Sequence, residues 1–307
     1  MIDLPLIIGS FLVAIVVGLT GMGGGALMTP MMMLFFNVPP LAAVSSDLVA
    51  SAVMKPVGSV VHLRRGTVDL RLVGWLCLGS VPAAFCGVFL ARAFAVGDGV
   101  KYALGVALLL AVAGLAAKSW LAGRRASTSS TSSTSSTEGS AAGSGRLVVR
   151  PIPTVLVGTV GGLVVGVSSV GSGSLIVVAL LALYPAIKAN ELVGTDLVQA
   201  VPLVTSAALG HLLFGDFQLD LTVSLLIGSV PGVYLGARIS SRAPGGLIRA
   251  MLAIVLLASA LKLLGVGNAA TLSALAAAVL VTVAGWRWRV RAAARASRGS
   301  TDLARAH

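Results

Sequence analysis

Apolar residues in this chain run in long blocks and do not alternate. The blocks cover 4–36, 41–63, 70–90, 100–121, 154–184, 192–214, 219–239, 247–264 and 269–288, with polar residues gathered between them. Most lie near the ~20 residues that carry a helix across a bilayer. The pattern predicts an all-α polytopic membrane protein. The ~10-residue alternating segments of a membrane β-barrel are absent.

Two kinds of break interrupt the blocks. The stretch "GRRASTSSTSSTSSTEGSAAGSGR" (123–146) is rich in Ser, Thr and Gly and nearly free of apolar bulk, which predicts a disordered linker. The other break is "GLTGMGGGAL" (18–27), with Gly21, Gly23, Gly24 and Gly25 in five positions. Glycine weakens a helix, so the first block is expected to be a re-entrant hairpin or a pair of short arms.

The same device returns after the linker as "GVSSVGSGSL" (166–175). Further along, "SSDLV" matches "GTDLV", "VHLRRGTVDLRL" matches "GHLLFGDFQLDL", and "LGSVPAAFCG" matches "IGSVPGVYLG". Polar positions match too: Asp47 with Asp196, and His62 with His211. Shared apolar composition does not produce such matches, so two internal repeats are expected, as in secondary transporters. The expected organisation is a first repeat over 1–122, a linker over 123–150, a second repeat with one extra helix over 151–288, and a basic tail over 289–307.

Composition agrees: 57% of residues are hydrophobic and 10% charged, too little charge for the surface of a soluble protein. The N-terminus lacks the basic start and cleavage site of a secretory signal and reads as the first membrane segment. The net charge of +12 carries no aromatic–basic interleaving, so nucleic acid is not an expected partner. Its distribution sets topology. If each broken segment makes no net crossing, each repeat has three further spans and the two insert upside down. Every Arg and Lys then falls on the side of the linker and tail, except Arg92, Lys101, Lys262 and the intramembrane Lys55. A single crossing by each broken segment gives a near-even split. The positive-inside rule selects the first arrangement: inverted repeats in the cell membrane, N-terminus outside, linker and tail cytoplasmic.

A break inside the membrane leaves backbone groups unpaired, tolerated only in protein or against a wet cavity. The arm that restarts at Gly23, Gly24 and Gly25 aims its N–H groups there, and its dipole favours an anion. Gly171, Ser172, Gly173 and Ser174 repeat the device with added hydroxyls. The alternative is close packing of helices on small residues.

Lys55 lies deep in its block, where a charge costs at least about 2.5 kcal/mol. It is either the counter-charge of an anion, a structural partner of Asp47 or Asp196, or a snorkelling side chain. Asp47 and Asp196 read as caps of helix starts or as coupling groups for a proton or ion. Ser46 and Thr195 precede them as caps or donors to substrate. Gln199 can donate to an anion or bond between helices. His62 and His211 are interfacial hydrogen-bonders or proton relays. No HExxH, GxSxG or metal-ligand spacing occurs, so no catalytic residue, metal or cofactor is expected. The expected partners are a small anionic substrate and the lipid bilayer, with self-association left open.

The glycine-rich break, the "NVPP" turn, "SSDLVASAV", "HLRRGTVDLRL" and "LGSVPAAFCGVFL" together resemble the TauE/SafE sulfite exporter family of membrane transporters. Both halves carry the pattern, so the resemblance spans nearly all of the chain except linker and tail. It implies transport of a sulfur-containing anion such as sulfite, thiosulfate or a sulfonated organic acid. It singles out residues 23–25, 46–47 and 62–66, and 171–174, 195–196 and 211–215. The expected function is alternating-access transport of such an anion. The alternatives are a passive anion channel, an uptake carrier for a carboxylate or thiosulfate, and an intramembrane enzyme.

Overall fold

The computed structural model describes residues 3–20, 24–64, 66, 68–94, 98–129, 149–171, 173, 175–185, 187, 189–240 and 245–280. Among them the fold is all helix. In chain order the helices are α1 (Leu4–Thr20), α2 (Gly25–Phe35), α3 (Pro40–Arg64), α4 (Leu70–Phe94) and α5 (Gly99–Ser129). They continue as α6 (Pro151–Ser168), α7 (Leu175–Leu183), α8 (Ala189–Phe214), α9 (Leu219–Ser240), α10 (Gly245–Leu263) and α11 (Asn268–Leu280). Five of the described helices are long and apolar enough to cross a bilayer: α4, α5 as far as Ala117, α6, α8 from Glu191, and α9 as far as Gly236.

The predicted breaks are real, and both segments are hairpins. At 11 and 9 residues, α2 and α7 reach about 16 and 14 Å, half a hydrocarbon core. Each runs back along the helix before it. A Cβ built on Gly9, near the start of α1, would stand 3.1 Å from the Phe36 ring and 3.4 Å from the Met31 sulfur, at the end of α2. Tyr184, just past α7, accepts the Arg150 N–H at 2.8 Å and shares a 2.6 Å hydrogen bond with Thr154 Oγ1, at the start of α6. Each hairpin therefore opens and closes at one end of the protein.

Packing between the halves is reciprocal. α1 lies along α9, and α6 lies along α4. Small residues allow both contacts. Gly228, Gly232 and Gly236 sit under backbone carbonyls of Ile7, Phe11 and Ile15, while Gly158, Gly162 and Gly166 sit under those of Leu76, Ser80 and Ala84. A side chain at any of these positions would hold the helices apart. On the other faces, Leu4, Ile8, Leu12 and Val16 of α1 and Ile152, Leu156 and Val160 of α6 are exposed. These outward apolar stripes suit a lipid surround.

The centre is α3 against α8, running antiparallel, with Ser45 opposite His211 and Ser59 opposite Leu197. Residues 42–48 of α3 are all buried. Pro56 and Pro202 lie inside these two helices, which continue through them. Unlike the expected linker boundary, α5 continues to Ser129, because "LAGRRA" is built mostly from good helix formers. The rest of the Ser/Thr run and the basic tail lie outside the described residues.

Candidate functional site

The two hairpin breaks meet. A Cβ built on Gly25, the first residue of α2, would overlap the backbone carbonyl of Ser169. Ser169 ends α6 in the left-handed conformation, at φ 58°. Two residues on, Gly171 (φ 117°) adopts a conformation that a side chain rarely permits. The N-cap of α2 is Gly24, with no side-chain hydrogen bond to cap it.

Asp47 of α3 stands at this junction, fully buried. Its Oδ2 accepts from the Ser169 hydroxyl at 2.6 Å and from Thr29 of α2 at 3.2 Å. Its Oδ1 has no hydrogen-bond partner among the described residues. That oxygen faces the break: a Cβ on Gly24 would stand 3.7 Å from it. One carboxylate thus ties together both breaks and the central helix. The hydroxyl donors it uses, Ser169 and Thr29, were not singled out from sequence, although Ser169 falls inside the quoted "GVSSVG".

Lys55 interacts electrostatically with Asp196 foremost and with Asp47 second. The ammonium therefore feels one carboxylate from each half, which gives the structural-pairing alternative a physical form. Neither Asp caps its helix. Pro40 and Ala189 begin α3 and α8 seven residues earlier, about 10 Å along the axis. Proline at a first helical position starts a helix readily, so the cap reading is corrected.

The remaining polar residues tie helices together. Thr195 Oγ1 accepts the Asp69 N–H at 3.2 Å, and the Ser46 hydroxyl reaches the Gln218 carbonyl at 3.5 Å. These are matching contacts: the residue before each Asp holds the turn that precedes the fourth helix of the other half. Gln199 Nε2 donates to Ser80 at 2.9 Å, the interhelical bond expected as one alternative. Its Oε1 has no hydrogen-bond partner among the described residues. His211 is fully buried near the end of α8; Nε2 donates to the Gly166 carbonyl and Nδ1 meets Ser45 Oγ, both at 2.8 Å. Its partners come from α6 and α3, a convergence invisible in one dimension. Gly173 is described and half-buried. Gly23, Ser172, Ser174 and the His62 side chain lie outside the described residues. Among the described residues, no three His, Cys, Asp or Glu come together as a metal site.

A cavity of about 400 Å3 opens near one end of α3. Asn37, Pro40, Lys101 and Lys262 are among its lining residues. It sits where α2 returns and α3 begins, about 10 Å along α3 from Asp47.

The profile of the family described as sulfite exporter TauE/SafE matches residues 6–263. The chain belongs to the sulfite exporter TauE/SafE family. It is a multi-pass membrane protein of a transporter family. Its relatives include the probable membrane transporter protein YjnA of Bacillus subtilis, 32% identical over 85% of this chain and 100% of the relative. The probable membrane transporter protein YdhB of the same organism is 25% identical over 78% of this chain and 91% of that protein. No solved structure matches. The family match leaves out α11 and the basic tail, and takes in both hairpins and the α3–α8 centre.

Proposed function

We propose that this TauE/SafE family member is an alternating-access carrier of a small anion, a sulfur oxyanion or an organosulfonate. One observation carries the reading: the glycine breaks of the two hairpins abut, with the N-terminus of α2 at the junction. A helix N-terminus attracts an anion through its N–H groups and dipole. Lys55, on the same central helix, supplies the positive charge, and Gly173 adds a backbone donor from the second hairpin.

Reciprocal packing of α1 on α9 and α6 on α4 supports two inverted repeats over 1–122 and 151–288. Hairpins that close at the end where they open make no net crossing, which supports an outside N-terminus and a cytoplasmic linker and tail. In that orientation the Lys101–Lys262 cavity is the outer mouth, and its lysines draw anions toward α3. The two central helices, each with one internal proline, are suited to rocking, the motion by which repeats expose a central site alternately.

The test is counterflow. Protein reconstituted in liposomes is preloaded with thiosulfate, sulfite or sulfoacetate, and entry of the labelled anion is followed. A carrier shows entry accelerated by the anion on the far side. Entry indifferent to the far side would mean a channel, and no entry of any of the three would overturn the reading.

A further inference from the structure

We propose that Asp47 is where this carrier takes up a proton that travels with its anion. The inference rests on the anion-carrier reading and adds the coupling species to it. It comes from the surroundings of the carboxylate. Both hydrogen bonds to Asp47 are made to one oxygen, Oδ2, by Ser169 and Thr29. The other oxygen, Oδ1, is bare among the described residues and points toward Gly24 at the N-terminus of α2. A fully buried carboxylate with one oxygen unbonded has room for a proton on that oxygen, and burial of an ionised group costs several kcal/mol unless it is paired.

The position gives the coupling. An ionised Asp47 already places a negative charge in the field of α2's N-terminus, where the transported anion is to sit. Two anions there repel. A proton on Oδ1 cancels the first charge while leaving both hydroxyl bonds to Oδ2 in place, and the dipole becomes free for the guest. Protonation and anion binding therefore favour one another, and each strengthens the other by the same factor.

What distinguishes Asp47 is its place at the hairpin junction, with two hydroxyls on Oδ2 and Oδ1 turned toward Gly24. On its own helix the nearest charged group is Lys55, whose main electrostatic partner is Asp196. Lys55 thus acts on both carboxylates, and Asp47 adds two hydroxyl donors, from α2 and from the end of α6. The helices packed on α3 are α2, α5, α8 and α9. α2 carries no titratable residue. α5 carries Lys101 and Tyr102 in its first turn, at the cavity end, and Lys118, Arg124 and Arg125 in its last turns. α8 brings Glu191, Asp196 and His211, the last engaged with Ser45 and Gly166. α9 brings Asp220 in its first turn, and Tyr234 and Arg238 toward its other end. A proton fits this site better than a metal cation: Lys55 already supplies a fixed positive charge, and three carboxylate, His or Cys ligands do not assemble among the described residues.

The experiment measures proton and thiosulfate entry together in liposomes holding a pH-sensitive dye, with sulfoacetate as a second probe. Both probes keep their charge through the neutral range. Wild-type protein is expected to acidify the lumen as the anion enters, at about one proton per anion if Asp47 is the only site, and to accumulate the anion under an inward proton gradient. Asp47→Asn is expected to bring that ratio to zero at whatever rate it exchanges, and Asp47→Glu to restore it. Anion entry without acidification in wild type, or an unchanged ratio in Asp47→Asn, overturns the inference alone. No entry of either probe, nor of sulfite in the counterflow test, overturns the carrier reading and the inference with it. Should Asp47→Asn fail to fold, proton uptake by wild type on binding thiosulfate in weakly buffered detergent decides. Its absence overturns the proposal, and its presence together with coupled transport by Asp47→Glu supports it.

Discussion

The hydroxyl of Ser169 donates to the carboxylate of Asp47 at 2.6 Å across 122 positions of sequence. That bond fastens the end of α6, at the second hairpin break, to the central helix of the first half. Thr29 makes a longer bond, 3.2 Å, to the same oxygen. Interhelical hydrogen bonds in membranes contribute about 0.6–2 kcal/mol. Ser169→Ala is therefore expected to lower stability by about that amount, and Thr29→Val by less. Reversible unfolding in mixed micelles reads the order, and a larger loss at Thr29 would contradict it.

The two neighbouring glycines should behave differently. A methyl at Gly25 would overlap the Ser169 carbonyl, whereas one at Gly24 meets its nearest neighbour, Met28 Cγ, at an ordinary 3.5 Å. Overpacking of this kind costs about 1–3 kcal/mol. Gly25→Ala is expected to lower the yield of monodisperse protein on size exclusion, and Gly24→Ala to preserve it. Equal behaviour would mean that the breaks do not touch.

Lys55→Met removes the positive charge beside both carboxylates. Exchange of thiosulfate is expected to fall at least about tenfold, equivalent to about 1.4 kcal/mol, in protein that still inserts in the membrane. Unaltered counterflow would remove Lys55 from the site.

Orientation is open to direct labelling in a Cys77→Ser, Cys86→Ser background. A cysteine placed within 130–148 is expected to react with an impermeant maleimide only after the cells are permeabilised, and Asn37→Cys in intact cells. The reverse pattern would invert the topology.

Much of the fold was legible because lipid imposes one-dimensional rules. Span length and glycine clusters leave marks along the chain, and α1–α4 and α6–α10 fall close to the expected blocks. The ionisable members of the candidate site, Asp47, Lys55 and Asp196, stood out in the sequence because charge inside an apolar block is costly. Their hydroxyl partners were not. Ser169 and Thr29 are small residues in small-residue stretches, and what distinguishes them is that α2 returns along α1 and begins against the end of α6. The same holds for Ser46 and Thr195, whose contacts with Gln218 and Asp69 exist only because the halves interlock. Asp47 and Asp196 resembled caps because helix starts are hard to place when apolar and polar residues mix before them, as in "PLAAVSSD".

The most direct measurement is a cryo-EM structure of the protein saturated with thiosulfate. The account predicts density for the anion between Gly24 and Ser169, within hydrogen-bonding distance of the first N–H groups of α2. Density confined to the Lys101–Lys262 cavity, with the two hairpin breaks closed on each other and no anion between them, would contradict it.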